Sequence, residues 1–204
     1  SYTVSVSGYT NSGLQQLAAS PIRMAISPTL VSSPQCVAFG RVTTLANAGI
    51  NGTVQIQARD RFSNNATKGE EVFSMVIIGA NPIRRIEVPV LDSLTVMYSA
   101  NYYLETAGIY GIEVRRAGVN VAGSPFSLRV IDAQTYAANS MLEGGGLRGC
   151  VQNTVCSFSV TLFDRFGNRR SVGGDSVVST VSDERYVTAP VVQDLQNGQY
   201  AVTF

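Results

Sequence analysis

The sequence predicts an all-β protein built of tandem sandwiches, and three observations carry that prediction. Short runs of alternating, β-branched and aromatic residues are punctuated by Gly, Asn, Asp and Pro at intervals of roughly eight to twelve residues, the spacing of strands in a sandwich. No window holds the i, i+3, i+4 pattern of a long amphipathic helix, so helix is expected to be marginal. A set of motifs recurs at a separation of 104 residues.

The strands follow in order. Val54 to Ala58 alternates apolar residues with glutamine, and Val72 to Ile78 is almost continuously apolar. Ile86 to Val90 and Leu94 to Ser99 are rich in β-branched residues. Tyr110 to Arg115 and Phe126 to Ile131 alternate apolar residues with polar ones or glycine, which is the pattern of a strand buried on one face.

The repeat sets the domain plan. "ARDRFSNN" (Ala58 to Asn65) returns as "FDRFGNRR" (Phe163 to Arg170), with Asp60 and Asp164 separated by 104 residues. "KGEEVF" and "VGGDSV" align in the same register, Gly69 with Gly173 and Phe73 with Val177. "AASPIRMAI" (Ala18 to Ile26) and "AGSPFSLRV" (Ala122 to Val130) keep that spacing through Ser20 and Ser124. Such a period is too long for a solenoid and matches one immunoglobulin-sized sandwich per unit. Residues 1–26 then hold the last strands of one unit, 27–132 a complete unit and 133–204 the first two thirds of another. A chain that opens on "SYTVSVSG" without Met is expected to be an internal piece of a longer protein.

The ordered series "DRFGN", "GGD", "NGQYAV", "GIYGIEV" and "GSPFSLRV" resembles the filamin-type (ABP280) immunoglobulin-like repeat across nearly the whole chain. Two elements depart from that pattern. "GEE" (Gly69 to Glu71) replaces Gly-Gly-Asp in the complete unit, and "LDSLTVMY" (Leu91 to Tyr98) lacks a glycine before its strand. The resemblance implies tandem immunoglobulin-like β-sandwiches of the filamin-repeat type. It further implies a groove between strands C and D that accepts a partner segment as an added strand.

Each motif also has a reading of its own. Asp60 and Asp164 stand where a strand ends, and aspartate can bond the amides of a following turn. No second titratable group is placed to work with either one, so a turn role is expected rather than an active-site acid. Pro21 and Pro125 lack an amide hydrogen and fit the first residue or an edge of a strand.

With strand C at Val72 to Ile78, the repeat register turns Phe73, Met75 and Ile77 inward. The outward residues are then Val72, Ser74, Val76 and Ile78, of which only Ser74 is polar. A wet edge should alternate, so a partner peptide, a neighbouring repeat or the unit's own loops are expected to cover this face. The candidate groove comprises Val72, Ser74, Val76, Ile78, Ile86 and Val88. The next unit's outward set, Ser176, Val178, Thr180 and Ser182, is mostly polar and is expected to engage partners less. One added strand is a small contact, so a tandem array would rely on effective concentration.

Composition excludes several functions. The chain has 15 basic and 14 acidic residues and a net charge of +1, which gives no electrostatic reason to expect nucleic acid. No apolar run approaches the ~18 residues that span a bilayer, so no membrane insertion is expected. Histidine is absent, which removes the commonest general base and metal ligand, and neither an enzyme activity nor a cofactor is expected.

Cys150 and Cys156 flank "VQNTV" and can form a disulfide if the chain reverses there, contributing about 2 kcal/mol. They can equally be buried thiols, and Cys36 has no partner in either case. Asn51 and Asn65 begin N-x-Thr sequons, of which about two are expected by chance in a chain this rich in Asn, Ser and Thr. Three readings remain open. The first is a spacer or crosslinker in a cytoskeletal or ciliary axonemal scaffold, binding protein partners and cytoskeletal filaments. The second is an extracellular cell-surface or adhesion protein built of the same repeats. The third is the non-catalytic part of a larger enzyme.

Overall fold

A computed structural model of the chain describes residues 2–40, 44–80, 83–93, 96–182 and 189–204. Among these residues helix is confined to 3-10 turns, at Ser33–Gln35, Ala137–Asn139 and Gly145–Leu147. Everything else regular is strand.

At the N-terminus, β1 (Tyr2–Val4) is followed by the hairpin of β2 (Ser7–Thr10) and β3 (Gly13–Gln16), and β4 (Ile22–Met24) returns to pair with β1. The central sandwich contains β5 (Val37–Phe39), β6 (Leu45–Asn47), β7 (Asn51–Gln57), β8 (Phe73–Ala80) and β9 (Ile83–Val88). It continues with β10 (Val90–Asp92), β11 (Met97–Tyr103), β12 (Gly108–Arg116), β13 (Val119–Asn120) and β14 (Phe126–Ile131). One sheet runs β10-β11-β7-β5 and the other β6-β14-β12-β8-β9, with the short β13 paired to β12. The pairs are antiparallel except β6, which joins β14 in parallel.

Alternation drives this assembly. β7 and β11 bury every second residue, so Val54, Ile56, Tyr98, Ala100 and Tyr102 face Met75, Ile77, Ile112, Val114 and Leu128 of the other sheet. Ile56, Ile77, Ile112 and Leu128 are completely buried, and burying such a side chain is worth about 1.5–3 kcal/mol.

The C-terminal residues build β15 (Met141–Glu143), β16 (Ser157–Thr161), β17 (Val191–Asp194) and β18 (Gln199–Thr203), in the order β15-β16-β18-β17. This reproduces the β5-β7-β11-β10 sheet, with its own small core of Val160, Leu162, Tyr200 and Val202. Residues 176–182 alternate exposed and half-buried but join no ladder among the described residues.

Three strand expectations need correction. Ile86 to Val90 is two strands rather than one, because Pro89 supplies no amide and the chain crosses there from one sheet to the other. The strand expected at Leu94 to Ser99 begins at Met97 and runs on to Tyr103, and residues 94–95 lie outside the described set. The third lies at the sheet edge, where β9 and not β8 is outermost.

Candidate partner-binding edge

β8, expected at a sheet edge, lies inside its sheet, between β12 and β9. β9 pairs with it from Met75↔Val88 to Ala80↔Ile83 and so takes the lane that an added strand would use. Periodicity could not place β9, because half of its residues are charged.

This pairing redistributes the predicted groove. Val72 is 81% exposed but precedes the strand, while Ser74 is exposed on the outer face. Val76 is only 8% exposed, and Ile78 is half-buried. Val76 sits between Glu87 and Glu113, and Ile78 between Arg85 and Gly111. Glu113 pairs with Arg115 at 3.0 Å. Long charged side chains lay their stems along apolar neighbours, which accounts for apolar residues on an outward face. Ile86 and Val88 point the other way, into the core: Val88 belongs to it and Ile86 packs against it.

The exposed edge on the β8 side of this sheet is therefore β9, with Ile83 88% exposed and Arg84, Arg85 and Glu87 beside it. Charges and a following proline are the usual protection of an edge against indiscriminate pairing. The next unit's Ser176, Val178, Thr180 and Ser182 are all exposed.

Asp60 and Asp164 are 1% and 0% exposed and do identical work. Asp60 accepts from the amides of Thr29, Phe62 and Asn64 at 3.0, 2.9 and 2.9 Å, and from the Asn64 side chain at 3.1 Å. Asp164 does the same with Ala133, Phe166 and Asn168. Burial alone pushes the Asp60 pKa up, but the bonds from Asn64, Thr29 and Phe62 outweigh it and hold the carboxyl at about 2. Asp164 is lowered in the same way.

A second clamp escaped the sequence reading. The Tyr98 hydroxyl accepts from the Glu71 amide at 3.0 Å, and Tyr200 from Asp175 at 2.9 Å. Asp92 accepts from Glu70, and Asp194 from Gly174. A Cβ at Gly69 or Gly173 would fall within 2.7 or 2.4 Å of that carboxylate, so a side chain at either position would displace the clamp. The counterparts of Tyr98 and Asp92 lie 102 residues on, while those of the glycines and amides beside them lie 104 residues on, and this two-residue slip hides the clamps from a fixed-offset search.

At the "GEE" departure Glu70 adopts φ +88, where its counterpart Gly174 has +95. A side chain in that region is strained. Glu70→Gly is expected to stabilise the central sandwich by about 1 kcal/mol, read as a higher urea midpoint at unchanged slope.

The Ser-Pro recurrence also has a side-chain cause. Ser124 Oγ accepts from the Val114 amide at 2.9 Å, and Ser20 Oγ from Val6 at 2.8 Å. The serine thus holds an amide of β12, or of the link between β1 and β2, where the chain turns into β14 or β4. Cys36 stands where the next unit has Ser140; its Sγ donates to Ser32 O at 3.3 Å, as Ser140 Oγ donates to Tyr136 O. Burial pushes its thiol pKa up, which keeps it an unreactive core group. Cys150 and Cys156 are bonded to each other, with Cα atoms 5.8 Å apart. Asn51 and Asn65 are both exposed.

The C-terminal sheet is seated on the end of the central sandwich. The Asn168 side chain donates to Glu105 O at 2.7 Å and accepts from the Ala107 amide at 2.8 Å. Phe166 packs against the central core, over Gly49, where a Cβ would come within 2.3 Å of its ring. Beside it Asp132, at the end of β14, pairs with Arg170 and accepts from the Ser171 amide.

Comparison with known proteins places residues 31–127 in the Filamin/ABP280 repeat model. A stretch of 79 residues, 38% of this chain, is 33% identical to the E3 ubiquitin-protein ligase TRIM71 of Xenopus tropicalis, of which it spans 10%. The Escherichia coli adhesin FdeC superposes with a TM-score of 0.63 at 20% identity, over 93% of this chain and 60% of its own. Invasin, a bacterial integrin-binding protein, superposes with a TM-score of 0.58 at 13% identity, over 87% of this chain and 35% of its own. These two likenesses show the shared fold of tandem immunoglobulin-like sandwiches. Among the described residues no helix is long and apolar enough to cross a membrane.

Proposed function

The central sandwich is a filamin-type repeat, and from that premise we propose that the chain is a non-catalytic spacer segment of a multi-repeat protein. We assign residues 27–132 to one complete repeat, 1–26 to the closing strands of the repeat before it and 133–204 to the opening part of the next. Protein partners join the array by adding a strand along β9, and the observation that carries this reading is the position of β9 as an outer strand of its sheet, beside β8. The main-chain ladder supplies affinity, and Ile83, Arg85 and Glu87 supply what side-chain selection there is.

The cytoskeletal form of this proposal expects the chain to co-sediment with actin filaments or microtubules. Replacing Ile83 by Asp should then reduce pelleting several-fold. A chain left in the supernatant at saturating filament concentration overturns that form.

The bonded Cys150 and Cys156 favour a second form, in which the repeats stand on a cell surface, because disulfides persist in oxidising compartments. Protein isolated from its own cells should then resist alkylation at both cysteines until it is reduced. Two free thiols there overturn the second form and leave the first.

A further inference from the structure

The turn Asp60 to Asn64 repeats the turn Asp164 to Asn168 in the backbone amides and the asparagine side chain that its aspartate holds. Both aspartates bond the same three amides, and in both turns the arginine guanidinium lies over the phenylalanine ring, at 4.6 Å for Arg61 and Phe62 and 4.8 Å for Arg165 and Phe166. The four residues after each aspartate are Arg-Phe-Ser-Asn and Arg-Phe-Gly-Asn, so Ser63 against Gly167 is the only difference. Ser63 already holds the left-handed φ of +66 that Gly167 holds at +83. What differs is occupancy. Phe166 is half-buried on the rim formed by Gly49 and Leu104–Ala107, whereas Phe62 is 62% exposed. The side chain of Asn64 bonds Asp60, while that of Asn168 bonds both Asp164 and the rim.

We propose that the Phe62 turn is one half of an inter-repeat joint and that its partner is the rim of another filamin-type repeat. That rim presents a glycine with positive φ and a carbonyl and an amide that pair with the turn's asparagine, as Gly49, Glu105 and Ala107 do with Asn168 here. The inference rests on the tandem-repeat reading. Residues 2–26 hold only the counterparts of β12 to β14 and lack the rim, so this chain leaves the turn open. The joint would also be softer than the one seen at Phe166. Pro28 stands in place of Asp132 and Ala66 in place of Arg170, so the ion pair that ties the second joint has no counterpart.

The test is hydroxyl-radical footprinting of Phe62 and Phe166. In the 204-residue chain Phe62 is expected to react several-fold faster. In a fusion that replaces residues 1–26 with a second copy of residues 27–130, the leading copy marked by Phe62→Ser, the remaining Phe62 should slow to the rate of Phe166. Gly49→Val in the leading copy should restore its reactivity. Phe62 staying fast while Phe166 is protected overturns the joint and leaves the spacer reading intact, and so does protection that ignores the Gly49 substitution. A second variant keeps the question within the 204-residue chain. Gly167→Ser gives the docked turn the sequence of the open one, and Phe166 should stay protected; if Phe166 becomes as reactive as Phe62, the central turn cannot dock and the proposal fails.

Discussion

Arg170→Ala is expected to lower the stability of the C-terminal sheet by about 3 kcal/mol, because it strands a buried carboxylate. The side chains of Arg170 and Asp132 are 14% and 4% exposed, and the same guanidinium donates to Ala133 O at 2.6 Å and reaches Asp175 at 3.5 Å. Removing the cation leaves Asp132 with only the amide and hydroxyl of Ser171. The double variant Arg170→Met with Asp132→Asn should cost less than Arg170→Ala alone, since it buries no unpaired charge. Urea unfolding of the three chains measures both differences. Equal losses in the single and double variants would mean that the pair contributes packing and not charge. The same substitution should loosen the seat of Phe166, which lies beside the pair, and raise its footprinting rate.

Asp60→Ala is expected to lower the melting temperature of the central sandwich by on the order of ten degrees. Three backbone amides and the Asn64 side chain lose their acceptor at once, inside a site that admits almost no water. The acid response follows from the same bonds. The folded pKa of about 2 lies below the ordinary value of 3.8, so the folded state favours the ionised form. Its stabilisation is fully present above about pH 4 and is lost as the pH falls through about 2. Asp60→Asn keeps the size of the side chain, and its oxygen can still serve two amides. Its nitrogen, however, would face the donors of Thr29 and Asn64. That variant should be less stable than the parent at pH 7 and lose less of its remaining stability between pH 4 and 2. A melting-temperature series over that window decides the matter. Asp164 is lowered for the same reason and responds in the same window, so part of the acid sensitivity survives in the variant.

Much of the fold was legible because it rests on local pattern. The strand Phe126–Ile131 could be read to the residue, since its alternation is strict and a proline fixes its start. The Asp60 and Asp164 turns were legible from residue type, because a carboxylate followed by a tight turn has few other ways to meet the turn's amides. The edge was not legible. Val72 to Ile78 looks like a strand in need of cover, and the strand that covers it is Ile83–Val88, where a run of charged residues breaks the apolar signal. The Tyr98 and Asp92 clamps were missed because a two-residue slip between the units hides their repetition.

The sequence by itself determined the all-β class, the spacing of the repeat and the residues that close its turns. Each of these depends on neighbours a few positions away or on a motif written more than once. Only the tertiary structure decided which strand forms the edge, which copy of a repeated turn is seated and which acidic group meets Arg170. Those outcomes depend on partners brought together from distant positions, and identical turns meet different surroundings. The Arg-Phe-x-Asn turn is the plainest instance: its sequence fixes its shape in both copies, and only the presence of a rim decides whether its phenylalanine is covered.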